Sequence, residues 1–267
     1  MNTNYVDLFF FHSVQSIEVL DDNVRRWAEK AKVEKKIHLF GFSTHSNMAS
    51  VMLEAAKLDW VDGIMMSCNF RNMHSTAMQE ALTACVKAGI GLTAMKTQAR
   101  GSWFDWTQGP PADRELSRQL RQKGWSEQQA KLKAVWQNPH IASICSQMNS
   151  MSLLKANVEA AVDPTTLSSA DMNLLQKYAC ETARQYCMGC GQCEATRTAE
   201  LPVRDIMRYH MYCREYGHAD WAREHFAAIP ARVREQLAST DFRAAEARCP
   251  QGMPIGQLMR EALESYA

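Results

Sequence analysis

An excess of charge of either sign is missing from this sequence: 30 Lys and Arg stand against 29 Asp and Glu, a formal net charge of +1. The basic residues are spread along the chain and form no stripe, so the electrostatic footprint of a nucleic-acid binder is lacking. Long apolar runs are lacking too. The longest near the start, Tyr5 to Phe11, is too short to cross a bilayer, carries Asp7 and follows no basic leader. Neither a membrane span nor a secretory signal is expected, and we expect a soluble, cytoplasmic protein. There is no internal repeat and no low-complexity tract. Nine cysteines are an odd number, which argues against a closed disulfide framework. Five of them, Cys68, Cys85, Cys145, Cys180 and Cys213, stand alone in apolar or helical patterns, where a buried free thiol is the ordinary account.

What is present is ordinary globular material: 46% apolar and 22% charged residues in 267, enough for one large domain or two smaller ones with a real core. Residues 1–163 alternate β-rich runs with amphipathic stretches. Strands are expected at Tyr5–His12, Ile37–Ser43, Val61–Cys68, Gly91–Lys96 and Ile141–Cys145. Between and after them helices are expected at Asp21–Lys35, Asn47–Leu58, Thr76–Lys87, Arg114–Lys123, Glu127–Trp136 and Met151–Ala161. Strands separated by helices of this length imply β-α-β units and a parallel sheet. Asp163-Pro164 marks a boundary, because the residue before a proline is pushed out of helical geometry. From 164 to 267 only helices are expected: Ser169–Tyr186, Val203–Tyr216, Ala219–Ala228, Ala231–Leu237 and Ile255–Tyr266.

The remaining four cysteines form a pattern. Cys187, Cys190 and Cys193 make a C-x2-C-x2-C run, and Cys249 is followed by Pro250 far downstream. In bacterial ferredoxin motifs three close cysteines ligate one [4Fe–4S] cluster, and the cysteine that precedes proline ligates the other cluster of a pair. At the usual spacings, a second cluster would draw its ligands from Arg197, Ser239, Phe242 and Ala245, and none of these is a cysteine. All four ligands of one cluster are kept while all four of the other are absent, so a single [4Fe–4S] cluster on Cys187, Cys190, Cys193 and Cys249 is expected. Gly189 and Gly191 would let the backbone wrap closely around it. A zinc site, a disulfide pair and inert thiols are the alternatives. Zinc usually takes two separated pairs, and three thiols in tight succession with a Cys-Pro favour iron and sulfide.

The first region resembles the C-terminal part of an aldo/keto reductase barrel. The resemblance is carried by Tyr5-Val-Asp-Leu-Phe-Phe-Phe-His12, Ile37-His-Leu-Phe-Gly-Phe-Ser43 and Asn69-Phe-Arg-Asn72. Gly89 to Lys96 leading to Arg100-Gly101, and Asn138-Pro-His-Ile-Ala-Ser-Ile144 before a helix ending near Asn157, complete it. With the C-terminal cysteines, the whole resembles the iron–sulfur branch of that family. The resemblance implies a (β/α) barrel of the TIM type with its site at the C-terminal strand ends, hydride transfer from NADPH to a small-molecule carbonyl, and a tyrosine proton donor tuned by lysine and aspartate. It also implies that His12 is the histidine that orients the carbonyl. Ser43, Asn69 and Lys96 would meet the nicotinamide, and Gln147 and Asn157 the phosphate and adenine end. The strand of His12 matches the family's fourth, so the chain is expected to be a truncated barrel of five strands, without the tyrosine, lysine and aspartate.

The function so implied is that of an oxidoreductase joining a nicotinamide site to one-electron transfer through the cluster, with impaired turnover in this truncated form. The alternative is a non-catalytic electron carrier or cluster-stabilised scaffold, working with a redox partner protein. The outer strands of an unclosed sheet expose their edges, and self-association through them is a further expectation. His38, His45 and His74 are expected to be polar strand-end residues, and the Met-rich stretch from Met48 to Met73 core filling. Trp103, Trp106 and Trp125 fall in and around a loop after the fourth strand, either as an aromatic substrate wall or as a lid packed on itself.

Overall fold

The structure is a computed structural model in which residues 3–99, 109–194 and 201–266 are described. Arg100, Gly101, Trp103, Trp106 and Arg197, to which the sequence pattern drew attention, lie outside the described residues. The chain divides into two compact units, one of residues 1–99 with 128–172, the other of residues 100–127 with 173–267.

The first unit is a five-stranded sheet in which each strand pairs in parallel with the next in sequence. The strands are β1 (Val6–Phe11), β2 (Ile37–Thr44), β3 (Gly63–Ser67), β4 (Gly91–Met95) and β5 (Ser143–Cys145). Helix α1 (Asp22–Val33) lies between β1 and β2, α2 (Met48–Ala55) between β2 and β3, and α3 (Thr76–Lys87) between β3 and β4. Helix α6 (Met151–Val162) follows β5. The starts of these helices are chemically specified. Asp21 accepts hydrogen bonds from the amides of Asn23 and Val24, Ser75 from Met78, and Ser150 from Leu153, each satisfying donors that a helix start leaves open.

Helix contacts bury the middle of the sheet. Phe40, Phe42, Ile64, Met66 and Ala94 are 0% exposed, and Met52 of α2 and Leu82 of α3 are equally inaccessible. Burying each large side chain is worth roughly 1.5–3 kcal/mol. One contact is set by glycine. Gly41 and Gly63 are register partners in β2 and β3, and a Cβ on Gly41 would lie 2.2 Å from the Gly63 carbonyl oxygen. The outer strands differ from the middle. No residue of β1 is fully buried, β5 is largely exposed, and each has one strand neighbour.

The second unit is helical. It contains α4 (Pro111–Gln122), α8 (Val203–Tyr216), α9 (Ala219–Ala227), α10 (Ala231–Ser239), α11 (Arg243–Arg248) and α12 (Ile255–Tyr266). Two more helices, α5 (Glu127–Trp136) and α7 (Ser169–Glu181), run across the division between the units. Its core includes Val203, Ile206, Phe226, Leu237, Met259 and Ala262, all 0% exposed. Gly217 closes α8 in the left-handed conformation, at φ 71°, where a side chain would be strained. Among the described residues no helix is long and apolar enough to cross a membrane.

The sequence pattern finds every strand to within a few residues, but the division between units differs from the break at Asp163-Pro164. Two sets of hydrogen bonds account for this. The Gln137 side chain accepts from the Leu167 amide at 2.9 Å and donates to the Leu167 carbonyl at 3.1 Å, tying the segment after the proline to the sheet unit. The Tyr178 hydroxyl donates to the buried Asp113 carboxylate at 2.5 Å, which joins α4 to the helical unit. The helix expected to run from Ser169 to Tyr186 ends at Glu181, with a 3-10 turn from Ala183 to Gln185 after it.

Candidate functional site

In the sheet unit the residues picked out by sequence come to the C-terminal ends of consecutive parallel strands, the end at which such folds carry their sites. They arrive as three linked pairs. His12 follows β1, and its Nδ1 lies 3.0 Å from the Ser43 hydroxyl of β2. The same hydroxyl accepts the Ser13 amide at 3.0 Å. With the Ser43 hydrogen donated to Nδ1, the imidazole proton sits on Nε2, on a ring that is exposed. Ser13 adopts φ 60°, and Lys96 and Ala99 share that left-handed geometry after β4. Non-glycine residues hold such angles only where their surroundings enforce them.

The second pair joins β3 to β4. Asn69 is 1% exposed; its Nδ2 donates to the Lys96 carbonyl at 3.2 Å and its Oδ1 accepts the Arg71 amide at 3.0 Å. Asn72 extends the brace, accepting the Asn69 amide at 2.9 Å and donating to the Ser67 carbonyl at 2.9 Å. Much of the hydrogen-bonding capacity of Asn69 is therefore spent on the scaffold. In the third pair, the buried Asn157 of α6 donates to the Gln147 carbonyl and the Ser146 hydroxyl, both at 3.1 Å, pinning α6 to the segment after β5. None of the strand-end positions among the described residues is a tyrosine.

The histidines set aside at the sequence level do not gather. His38 stacks on Tyr5 at 4.9 Å, His45 meets the His12 ring edge-on at 6.0 Å, and burial lowers the His74 pKa. Among the described residues no group of three or more His, Cys, Asp or Glu is arranged to hold a metal ion.

In the helical unit Cys187, Cys190, Cys193 and Cys249 line one small pocket, although Cys249 comes from the far side of α8 to α11 in sequence. Gly189 and Gly191 turn the chain at φ 70° and 75° between the first three. The Gly189 amide donates to Cys187 Sγ at 3.4 Å and the Met253 amide to Cys249 Sγ at 3.5 Å. Arg248 holds the two segments together by donating to the Gln192 carbonyl at 3.2 Å. Met207, Met253 and Ile255 make the apolar wall. Burial pushes the Cys187 thiol up to about 12 and Cys193 to about 11, and it raises Cys190. Burial thus favours the neutral thiol form at Cys187, Cys190 and Cys193. Beside them sits a pair the sequence pattern did not single out. Arg204 donates its amide to Glu194 at 3.1 Å, and its guanidinium lies 3.4 Å from the same carboxylate. At the positions expected to have lost the other cluster, Phe242 is 3% and Ala245 0% exposed, both inside the apolar core.

Comparison with known proteins places the first two thirds of the chain. Residues 1–177 match the aldo/keto reductase family. The chain belongs to that family. Among solved structures it is similar to the holo form of the aldo-keto reductase AKR11C1 from Bacillus halodurans, with a TM-score of 0.50 and 18% identity over 66% of this chain and 62% of that one. Its similarity to MGS-M4, an aldo-keto reductase from a Medee basin deep-sea metagenome library, has a TM-score of 0.48 at 15% identity over 66% of this chain and 60% of that one. This aldo/keto reductase chain thus spans less than two thirds of the length of the solved relatives it matches. No curated protein matches it. The five parallel strands are the corresponding part of the family's barrel.

Proposed function

We propose that this aldo/keto reductase chain is an iron–sulfur oxidoreductase whose helical unit holds one [4Fe–4S] cluster through Cys187, Cys190, Cys193 and Cys249. The observation that carries this is the convergence of four cysteines, from two segments distant in sequence, on one otherwise apolar pocket. The donor set fits the group: four thiols, three of them in tight succession and the fourth before a proline, favour iron and sulfide over zinc. When bound, such a cluster supplies one-electron transfer.

The chain's own residues would do the rest. The Gly189 and Met253 amides donate to ligand sulfurs, which favours thiolate and tunes the site. Met207, Met253 and Ile255 would form the apolar wall beside it. At the strand ends, His12 would donate Nε2–H to a carbonyl oxygen while Ser43 holds its Nδ1. Ser43, Asn69, Lys96, Gln147 and Asn157 would flank an NADPH, with Asn69 and Asn157 acting mainly as braces for the backbone around it. The second reading is a non-catalytic electron carrier or cluster-stabilised scaffold, which would keep the cluster and have no turnover of its own.

Anaerobic purification with a visible spectrum and iron and acid-labile sulfide counts tests the central claim. About four irons and four sulfides per chain, with a brown colour that bleaches on reduction, are expected. A colourless protein carrying zinc, or no metal after reconstitution, would overturn it. Saturable NADPH binding with reduction of the cluster separates the oxidoreductase from the carrier, which would show neither.

A further inference from the structure

A second cavity in the helical unit, of about 310 Å³, stands on the other side of Cys187. It shares Cys187, Met207 and Met253 with the cysteine pocket, so one thiol and two thioethers form a common wall. Its volume lies at the lower end of the range for small-molecule sites, roughly 300–1,000 Å³. Met207, Met211, Met253 and Leu258 make one apolar and deformable part of its lining, and the rest is largely polar.

Two of the nitrogen-bearing side chains at the cavity are already engaged. His210 is closed to a ligand: its Nε2 lies 2.7 Å from the Leu258 carbonyl and its Nδ1 3.0 Å from the Tyr266 hydroxyl. Arg214 is neutralised by its ion pair with Glu261. Arg184 is different. Its guanidinium is exposed at the cavity and makes no ion pair among the described residues. A guanidinium with no ion pair among the described residues, at a cavity partly lined by thioethers, matches a carboxylate or phosphate carried on a hydrophobic body.

We propose that this cavity binds a small organic anion with an apolar, one- or two-ring body, its charge on Arg184 and its body against Met207, Met211 and Leu258. The binding chemistry stands on the cavity itself. Only its meaning, a small redox partner seated against a cluster ligand, rests on the cluster assignment above.

Calorimetric titration of the intact chain with 2-naphthoate, beside neutral 2-naphthamide, tests the site. One saturable naphthoate site, at least tenfold tighter than the amide, is expected. Arg184→Gln should bring naphthoate down to the affinity of the amide, while Lys177→Gln, an exposed cation outside the cavity, should leave it unchanged. Equal affinity for the two probes, or an Arg184→Gln variant that binds naphthoate like the parent, would overturn the proposal. Iron and sulfide are counted on the same samples. Binding without iron upholds the cavity and sinks the cluster assignment; iron without binding does the reverse. Where both are present, saturating naphthoate should shift the visible spectrum through the shared Cys187 wall, and an unchanged spectrum would overturn that shared contact.

Discussion

The two units solve the problem of a core in different ways. The sheet unit fills its interior with its own side chains: Phe40, Phe42, Ile64, Met66 and Ala94 are closed off by helices on which Met52 and Leu82 sit. The helical unit has an equally inaccessible set in Val203, Ile206, Phe226 and Met259, but Cys187, Cys193 and Cys249 pack half-buried against it. Part of that wall is thus made of thiols, and burial pushes Cys187 up to about 12 and Cys193 to about 11. In the function proposed above it is the helical unit that holds the cluster. Metal content should therefore matter to one unit and hardly to the other.

The sharpest way to break that contrast is at Cys249. Cys249→Ser should strip iron and sulfide almost as fully as Cys190→Ser, from about four of each per chain to near none, despite its distance in sequence from the other ligands. A variant that keeps its full iron would end the one-cluster assignment. The next largest effect belongs to the other unit. Phe42→Ala leaves a cavity at the centre of the sheet and should cost about 3–5 kcal/mol in denaturant unfolding. Its iron content should stay at parent level in protein that remains folded, and a parallel loss of iron would show that the units do not hold their cores separately.

Gly41→Ala should also destabilise the sheet, by about 1–3 kcal/mol, since its methyl meets the backbone oxygen of Gly63, which cannot swing aside as a flexible side chain could. An unchanged midpoint in chemical denaturation would mean that β2 and β3 separate at little cost. The smallest effect is a pH dependence. Burial lowers the pKa of His210, opposed by its bond to the Leu258 carbonyl. Below about pH 6.5 the unfolded chain takes up the His210 proton more readily than the folded unit. Stability should then fall as pH drops below that value, with a slope of at most about one proton. His210→Gln should flatten the slope, and an identical acid profile in parent and variant would remove His210 from the account.

Some features escaped the sequence pattern for definite reasons. Helix α11 is six residues long and its only buried residue is Ala245, so it offers no apolar stripe to read. The Tyr178–Asp113 bond that gives α4 to the helical unit spans a stretch of chain over which no periodicity extends. Asn69 looked like a cofactor contact from its place after β3, yet its amide group braces β3 to β4. The residue type and strand-end location were legible, but the partner was not. The Arg204–Glu194 pair left no signal, since a lone Arg and a lone Glu are the commonest solvated residues.

By itself the sequence determined the local and the chemical: five strands from their apolar runs, helix starts from Asp21, Ser75 and Ser150, and a cysteine spacing that limits what the C-terminal region can hold. These follow from the conformational and ligand preferences of neighbouring residues. Tertiary structure alone decided what distant residues share. It set His12 on Ser43, placed Gly41 against the Gly63 carbonyl, carried Cys249 to the wall formed by Cys187, Cys190 and Cys193, and brought Arg184 to a cavity shared with Met207 and Leu258. Such contacts depend on how buried surfaces fit together once the chain has closed on itself, and no local pattern of residues encodes that fit.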